Sequence, residues 1–235
     1  MSVLLLRLDG PMQSWGDASR FVRRHTRTEP TKSGVIGLLA AAQGRRRTDP
    51  IEDLAALSFG VRVDQRGRLQ RDFQTAIRWG RKNESMPLSY RYYLADAVFV
   101  AGVEGDAELL HALDEAVRSP TFPLYLGRRA CPPSDEEISL GVRDAPLEEA
   151  LRSQEWLARD WYRRQQGRTV HLELVVDAPP GLADADAETS RDVPLSFDPV
   201  RREYGWRDVV RLAPVAMPNS VGRAEPDFMA ALGGA

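Results

Sequence analysis

Two stretches near the start of the chain carry the residue types that bind phosphate. The run Arg20-Phe-Val-Arg-Arg-His-Thr-Arg27 places four arginines and a histidine within eight residues. The stretch Pro30-Thr-Lys-Ser-Gly-Val-Ile-Gly-Leu-Leu-Ala-Ala-Ala-Gln-Gly44 then reads as a short apolar helix. Pro30 and Thr31 mark its entry, with Thr31 or Ser33 able to cap the first amides, and Gly44 marks its stop. The unpaired N–H groups and the positive dipole end of such a helix favour an anion. Lys32 adds a cation, and Gly34 and Gly37 leave room for another backbone. The order of glycine and lysine is not that of a Walker phosphate loop. From the residues alone two readings stand: a phosphate-binding helix start, or a buried small-residue helix with an ordinary cap.

Charge is unevenly spread along the 235 residues. Net charge is −2, which argues against a generic basic nucleic-acid binder. Residues 1–82 carry 14 Arg and 2 Lys against 8 Asp or Glu, a net of +8, so the remainder carries −10. A basic functional half and an acidic half facing solvent or protein follow from that asymmetry. Of the 32 basic residues only Lys32 and Lys82 are lysines. Arginine suits planar, bidentate phosphate contacts and base stacking, although a GC-rich genome also favours it; the clustering is the functional signal.

Catalytic chemistry finds little support. His25, His111 and His171 stand in no metal-ligand spacing, and Cys131, the single cysteine, builds neither a zinc site nor an internal disulfide. Nucleophile-elbow, zincin and dinucleotide fingerprints are absent. No metal or cofactor is expected. His25, inside the basic run, is the one candidate for metal-independent RNA cleavage by general acid–base chemistry; the competing reading makes it a contact residue. The apolar runs are too short for a membrane span or a signal peptide, and the lone cysteine fits a reducing cytoplasm.

The elements that must position these residues follow from periodicity. Val3–Leu8 reads as a buried strand ended by Gly10-Pro11, and the helix of 32–43 follows an Arg-rich loop. A short helix is expected over Pro50–Leu57. A strand over Phe59–Val63 is expected to turn at 65–68 into Leu69–Ile77 as its hairpin partner. Residues 78–90 read as a protruding hairpin or loop, and Arg91–Ala101 as a returning strand. Asp106–Val117 reads as an amphipathic helix, 120–133 as a loop and Ile138–Arg143 as a strand. Leu147–Trp161 is expected as a further helix, Thr169–Val176 as a strand, 177–191 as a loop and Val209–Pro214 as another strand, with a poorly patterned tail from Met217.

Four segments carry a family resemblance. They are Leu4-Leu-Leu-Arg-Leu-Asp-Gly-Pro-Met-Gln-Ser-Trp-Gly16 with the Pro30–Gly44 stretch, Arg71-Asp-Phe-Gln-Thr75, Ser89-Tyr-Arg-Tyr-Tyr-Leu-Ala-Asp-Ala97, and Tyr125-Leu-Gly-Arg-Arg-Ala-Cys-Pro132. In order and spacing the chain resembles the CasD-type, 5′-handle-binding subunits of type I-E CRISPR Cascade complexes, members of the RAMP superfamily. The resemblance covers roughly residues 3 to 132.

It implies an α+β fold. Residues 1–145 would form a ferredoxin-like, RRM-like β-α-β-β-α-β domain with a thumb hairpin at about 72–94, followed by a smaller β-containing unit over 146–216 and a tail over 217–235. It also implies a non-catalytic subunit that grips the 5′ handle of the guide RNA and caps the foot of an antiviral surveillance complex. A related subunit of another CRISPR subtype is a processing ribonuclease with a Tyr, Lys and His set, and no such set can be placed here. The implied RNA contacts are Gln13 and Trp15 reading or stacking a base, and Arg20, Arg23, Arg24, Arg27, Lys32 and Ser33 on phosphates. Arg78, Arg81, Lys82 and Arg91 follow on and beside the thumb, with Trp79 and Met86 packing on RNA or protein. Tyr125, Gly127, Arg128 and Arg129 form a glycine-loop clamp, and Arg45-Arg46-Arg47 reach phosphate or complement the helix end. Implied partners are the guide RNA, the adjacent backbone subunit and the large subunit of Cascade and, indirectly, target DNA; no membrane is implied.

Overall fold

Strand β1 (Ser2–Asp9) shows how the core is built. Its side chains alternate in direction, and both directions are apolar. Leu4, Leu6 and Leu8 enter one buried cluster, while Val3 and Leu5 enter another on the opposite face. A strand buried on both faces must lie inside a sheet, and β1 runs between β7 (Val98–Gly105) and β8 (Ser139–Arg143). The computed structural model describes residues 2–16, 23–77, 80, 85–134, 137–179 and 187–224.

The large sheet adds β4 (Ser58–Gln65), β9 (Thr169–Asp177), β10 (Ala187–Ser196) and β11 (Glu203–Pro218). Its seven strands run in the order β10-β11-β9-β4-β7-β1-β8, and every ladder is antiparallel. Helices α1 (Lys32–Ala42) and α3 (Ala107–Arg118) cover one face through Ile36, Leu39, Leu110 and Leu113. Asp106 caps α3 by accepting from the Leu109 N–H, as its place before an apolar periodic run demands. Helix α4 (Leu147–Ser153) covers the other face, and α2 (Glu52–Ala55) is a single turn before β4. The molecule is thus mixed α+β, a large antiparallel sheet with few helices.

A second, smaller sheet carries the candidate site. Strand β6 (Ser89–Ala95) is its centre. It pairs along one edge with β5 (Arg68–Gln74), and along the other with β2 (Met12–Gln13) and, in parallel, with β3 (Arg23–Arg24).

Several expectations change. The segment after the 65–68 turn is not the hairpin partner of β4. Both edges of β4 are taken, by β7 and β9, and β5 pairs with β6 instead. The single strand expected over 91–101 is two strands, split where Asp96 adopts a positive φ of 56°. The helix expected over 147–161 stops at Ser153, and α5 (Asp160–Arg163) is separate. The cause is Arg62, fully buried against Asp64, whose guanidinium donates to the Leu151, Gln154 and Glu155 carbonyls. Satisfying those carbonyls ends the helix and draws the following chain onto the sheet. The loop expected over 177–191 gives way to β10 from Ala187, and β11 is longer at both ends than expected. Residues 169–218 widen the first sheet through the β4–β9 ladder.

Candidate nucleic-acid interface

The loop after β1 holds the two sheets together, and it does so with Gln13 and Trp15. Gln13 Nε2 donates to the Leu8 and Ala97 carbonyls, and its Oε1 accepts from Trp15 Nε1 at 3.0 Å. Both side chains are 0% exposed. They were expected to read or stack a base; instead each is spent in the core. That bond satisfies the indole N–H away from water, and the ring packs in the core cluster with the apolar face of α1. Gly34 follows from the same packing: a Cβ there would lie 2.7 Å from the indole. Its missing side chain clears Trp15, not an RNA backbone.

The start of α1 is also occupied. Thr31 caps it, accepting from the Gly34 N–H, and Asp192 Oδ2 of β10 accepts from the Lys32 N–H at 2.8 Å. Asp192 also takes two bonds from Arg207, at 2.6 and 2.9 Å, and Lys32 Nζ lies 3.2 Å from Asp177, which Arg207 also engages. Burial would raise Asp192's pKa, but the Arg207 pair and the Lys32 amide outweigh it and hold the carboxyl below the usual aspartate range. Lys32 is 6% exposed and Ser33 is also buried. Here the expected phosphate position holds the protein's own carboxylate, so neither residue is placed to grip RNA. Arg27 lies beside this network, with Nη1 3.5 Å from Ser190 Oγ.

Open cationic chemistry lies on the small sheet. Arg23 and Arg24 are exposed on β3, beside Tyr90 and Arg91 of β6. Arg128 lies over the Tyr93 ring, 4.9 Å from its centroid, and Nη2 donates to the Arg24 carbonyl. Its Nη1 is buried with no hydrogen-bond partner, as is Arg91 Nε. Arg129 is exposed and Tyr125 half-buried. Gly127 has φ +83° and a Cβ there would fall 1.8 Å from the Ser14 carbonyl oxygen, so glycine is required for the 125–131 loop to dock against residues 12–16. Ser14 N–H donates to Leu126 O and Arg27 N–H to Trp15 O, so three distant loops meet as one surface. Arg45 is held by Asp53 and the Pro50 carbonyl, while Arg46 and Arg47 flank it. Arg20, Arg78, Trp79, Arg81 and Lys82 lie outside the described residues.

The comparisons with known proteins agree with one another. The sequence pattern of the CRISPR-associated protein family Cas5 matches residues 3–210. The chain is 33% identical over 228 residues to "CRISPR system Cascade subunit CasD" of Escherichia coli (strain K12), covering 88% of this chain and 94% of that one.

The chain belongs to the Cas5 family.

Solved structures extend the likeness to three dimensions. A "CRISPR RNA-guided surveillance complex" contains a chain that matches with a TM-score of 0.75 at 33% identity, covering 98% of this chain and 97% of that one. A "Crystal structure of Cas protein" matches with a TM-score of 0.69 at 38% identity, covering 95% and 99%.

In this Cas5 chain the surface also holds Tyr90, Tyr92, Leu69, Phe73 and Ile77, to which sequence reasoning assigned no role at the site. Tyr92 stacks on His25 with centroids 4.8 Å apart, and Arg71 lies 5.3 Å over Tyr90. Leu69, Phe73 and Ile77 stand exposed along the β5 side of the hairpin, and the Ile77–Ser85 bridge carries the pairing outward, with Met86 also exposed. Alternation in Ser89–Ala95 was the available signal: Tyr90 and Tyr92 share a face at period 2.

Proposed function

We propose that the chain is a non-catalytic, RNA-binding subunit of a type I-E CRISPR Cascade complex that grips the 5′ repeat-derived handle of the guide RNA and caps the foot of the assembly. The observation that carries this is the meeting of Arg23 and Arg24 with Tyr90 and Arg91 of β6, joined by Arg128, which lies over Tyr93 and donates to the Arg24 carbonyl, in a chain similar over nearly its whole length to a Cascade subunit. Arginines hold phosphates, and aromatic and guanidinium planes at such a surface can stack on unpaired bases. His25 spends its ring face on Tyr92, which fits a contact residue better than a proton-transfer group.

The finer fold assignment is ferredoxin-like. It is supported by chain order: β1, α1, β4, β7, α3 and β8 follow β-α-β-β-α-β, and the four strands lie in the order β4-β7-β1-β8. Residues 1–145 then form the RNA-binding part, with its thumb at about 72–94 on the β5–β6 hairpin. Residues from 146 form a smaller unit that widens the same sheet, and ordered pairing reaches Pro218, just past the boundary expected at 216. The apolar stripe Leu69, Phe73 and Ile77 suits the adjacent backbone subunit, with the large subunit a further partner and target DNA engaged through the assembly. Among the described residues no helix is long and apolar enough to cross a membrane, and the cytoplasm is the proposed location.

Incubating the chain with labelled CRISPR repeat RNA, with and without chelator, tests the reading on native and denaturing gels. Handle-dependent binding with intact RNA is expected. Specific, chelator-resistant cleavage would overturn the non-catalytic assignment and direct attention to His25.

A further inference from the structure

The acidic half of the chain contains a basic island at 159–168. Residues 159–168 carry four arginines against one aspartate, in a portion (83–235) whose net charge is −10. Arg159 is committed to Asp9 through an ion pair. Arg163 lies over Trp156, 5.0 Å from the ring centroid, and its Nε is buried without a partner. By contrast, the guanidinium groups of Arg164 and Arg168 make no ion pair or hydrogen bond among the described residues, and neither does that of Arg223. All three are exposed.

The island is rigidly built. Asn219, 2% exposed, donates through Nδ2 to the Arg163 and Gly167 carbonyls at 2.7 and 2.9 Å. The Asn219 N–H donates to the Arg168 carbonyl, and the Arg223 N–H to the Gln166 carbonyl at 2.8 Å. The backbone of Arg223 is thereby held against residues 166–167, between Arg164 and Arg168 in the chain.

Its place in the fold says which anion. Asp9 ends β1 and Gln65 ends β4; Arg159 binds the first, and its N–H donates to the side chain of the second. Thr169 begins β9 opposite Pro218 of β11. The island therefore lies at the end of the large sheet from which the β5–β6 hairpin leaves and to which it returns. Arg23, Arg24 and Arg128 lie at the same end, on the side of the sheet covered by α1. The island packs through Trp156, Val170 and Leu172 on the α4 side. The two arginine groups lie on opposite sides of the sheet end from which the hairpin leaves.

We infer that Arg164, Arg168 and Arg223 form a second phosphate-binding site, which takes the sugar–phosphate backbone of the guide RNA where it passes the foot of the hairpin on the side opposite Arg23 and Arg24. This rests on the RNA-binding function proposed above. The planar fork of arginine suits phosphate oxygens, and the exposed Trp161 beside the island offers a face to a nearby base.

The test compares full-length wild type, R164E/R168E/R223E, R164K/R168K/R223K and R23E/R24E. Affinity for repeat-derived handle RNA is measured across a salt series, with a duplex DNA of unrelated sequence in parallel. Three lost contacts at roughly 0.7 each lower the slope of log K against log salt by about 2. The glutamate triple variant is expected to show that drop and at least about a tenfold loss of RNA affinity at 0.1 M salt, with an unchanged melting temperature. The lysine triple variant, which keeps the charge, is expected to retain the slope and reports on fold if the glutamate variant unfolds. RNA affinity and slope unchanged in a folded glutamate variant overturn the second site while leaving the function intact. Loss confined to duplex DNA overturns the assignment to RNA. Failure of the wild type to bind RNA at all overturns the underlying function.

Discussion

Two basic regions of this molecule look alike in sequence and differ in what surrounds them. The start of α1 offers free amides, a helix dipole and Lys32, all of which favour an anion; Asp192 and Asp177 already supply it. The small sheet offers Arg23 and Arg24 exposed, with Arg128 Nη1 and Arg91 Nε unpartnered. The difference teaches that a cation marks a ligand site only when the fold has not neutralised it. Asp192 lies 160 residues from Lys32 along the chain, so local pattern cannot reveal the neutralisation.

The sharpest way to separate the two regions is Asp192→Ala. It removes a buried anion from Arg207 and from the start of α1, and a loss of about 3 kcal/mol is expected. For a chain of this size that is a fall of about 6–12 °C in melting temperature. RNA affinity of the molecules that remain folded stays at the wild-type value, as a thermal melt and a binding titration at low temperature would show. Trp15→Ala belongs to the same region, with a cost of about 3–5 kcal/mol and a melting shift as its readout. A preserved melting temperature with lost RNA binding would return Trp15 to the interface.

Arg23→Glu with Arg24→Glu is the converse. Both side chains are exposed, so stability is expected to move by no more than about 0.5 kcal/mol, while guide retention is abolished. A folded double variant with normal handle affinity breaks the comparison.

A smaller effect follows from Asp192's depressed pKa. The unfolded chain titrates this group near the ordinary aspartate value of about 3.9. Because the folded value is lower, the unfolded state binds more protons in the window below. The contribution is fully present above about pH 4 and is lost as pH falls through the folded value. Melting temperature of the wild type is therefore expected to fall more steeply below pH 4 than that of Asp192→Asn. Parallel curves would remove Asp192 from the network.

Much of the fold was legible where the signal is local. The double-sided apolar run of β1, the small residues of α1 between Thr31 and Gly44, and Asp106 ahead of α3 each specify their element within a dozen residues. Partner choice was not legible. β5 reads as well against β4 as against β6, and only the occupation of both β4 edges decides between them. The break after α4 depends on Arg62, buried far upstream of the carbonyls it serves. At the site, Arg23, Arg24 and Arg128 were named from sequence, and the chain brings Arg128 onto β3 through its bond to the Arg24 carbonyl. Trp15 and Gln13 were misassigned because a polar handle two residues away satisfies the indole internally.

The central claim is that the guide RNA lies on the small sheet and not at the start of α1. Photo-crosslinking handle RNA that carries 4-thiouridine, with the attached peptides mapped by mass spectrometry, tests it most directly. Crosslinks are expected within residues 23–27, 89–95 and 125–131. Crosslinks concentrated in residues 30–36 and 187–193 would contradict the account.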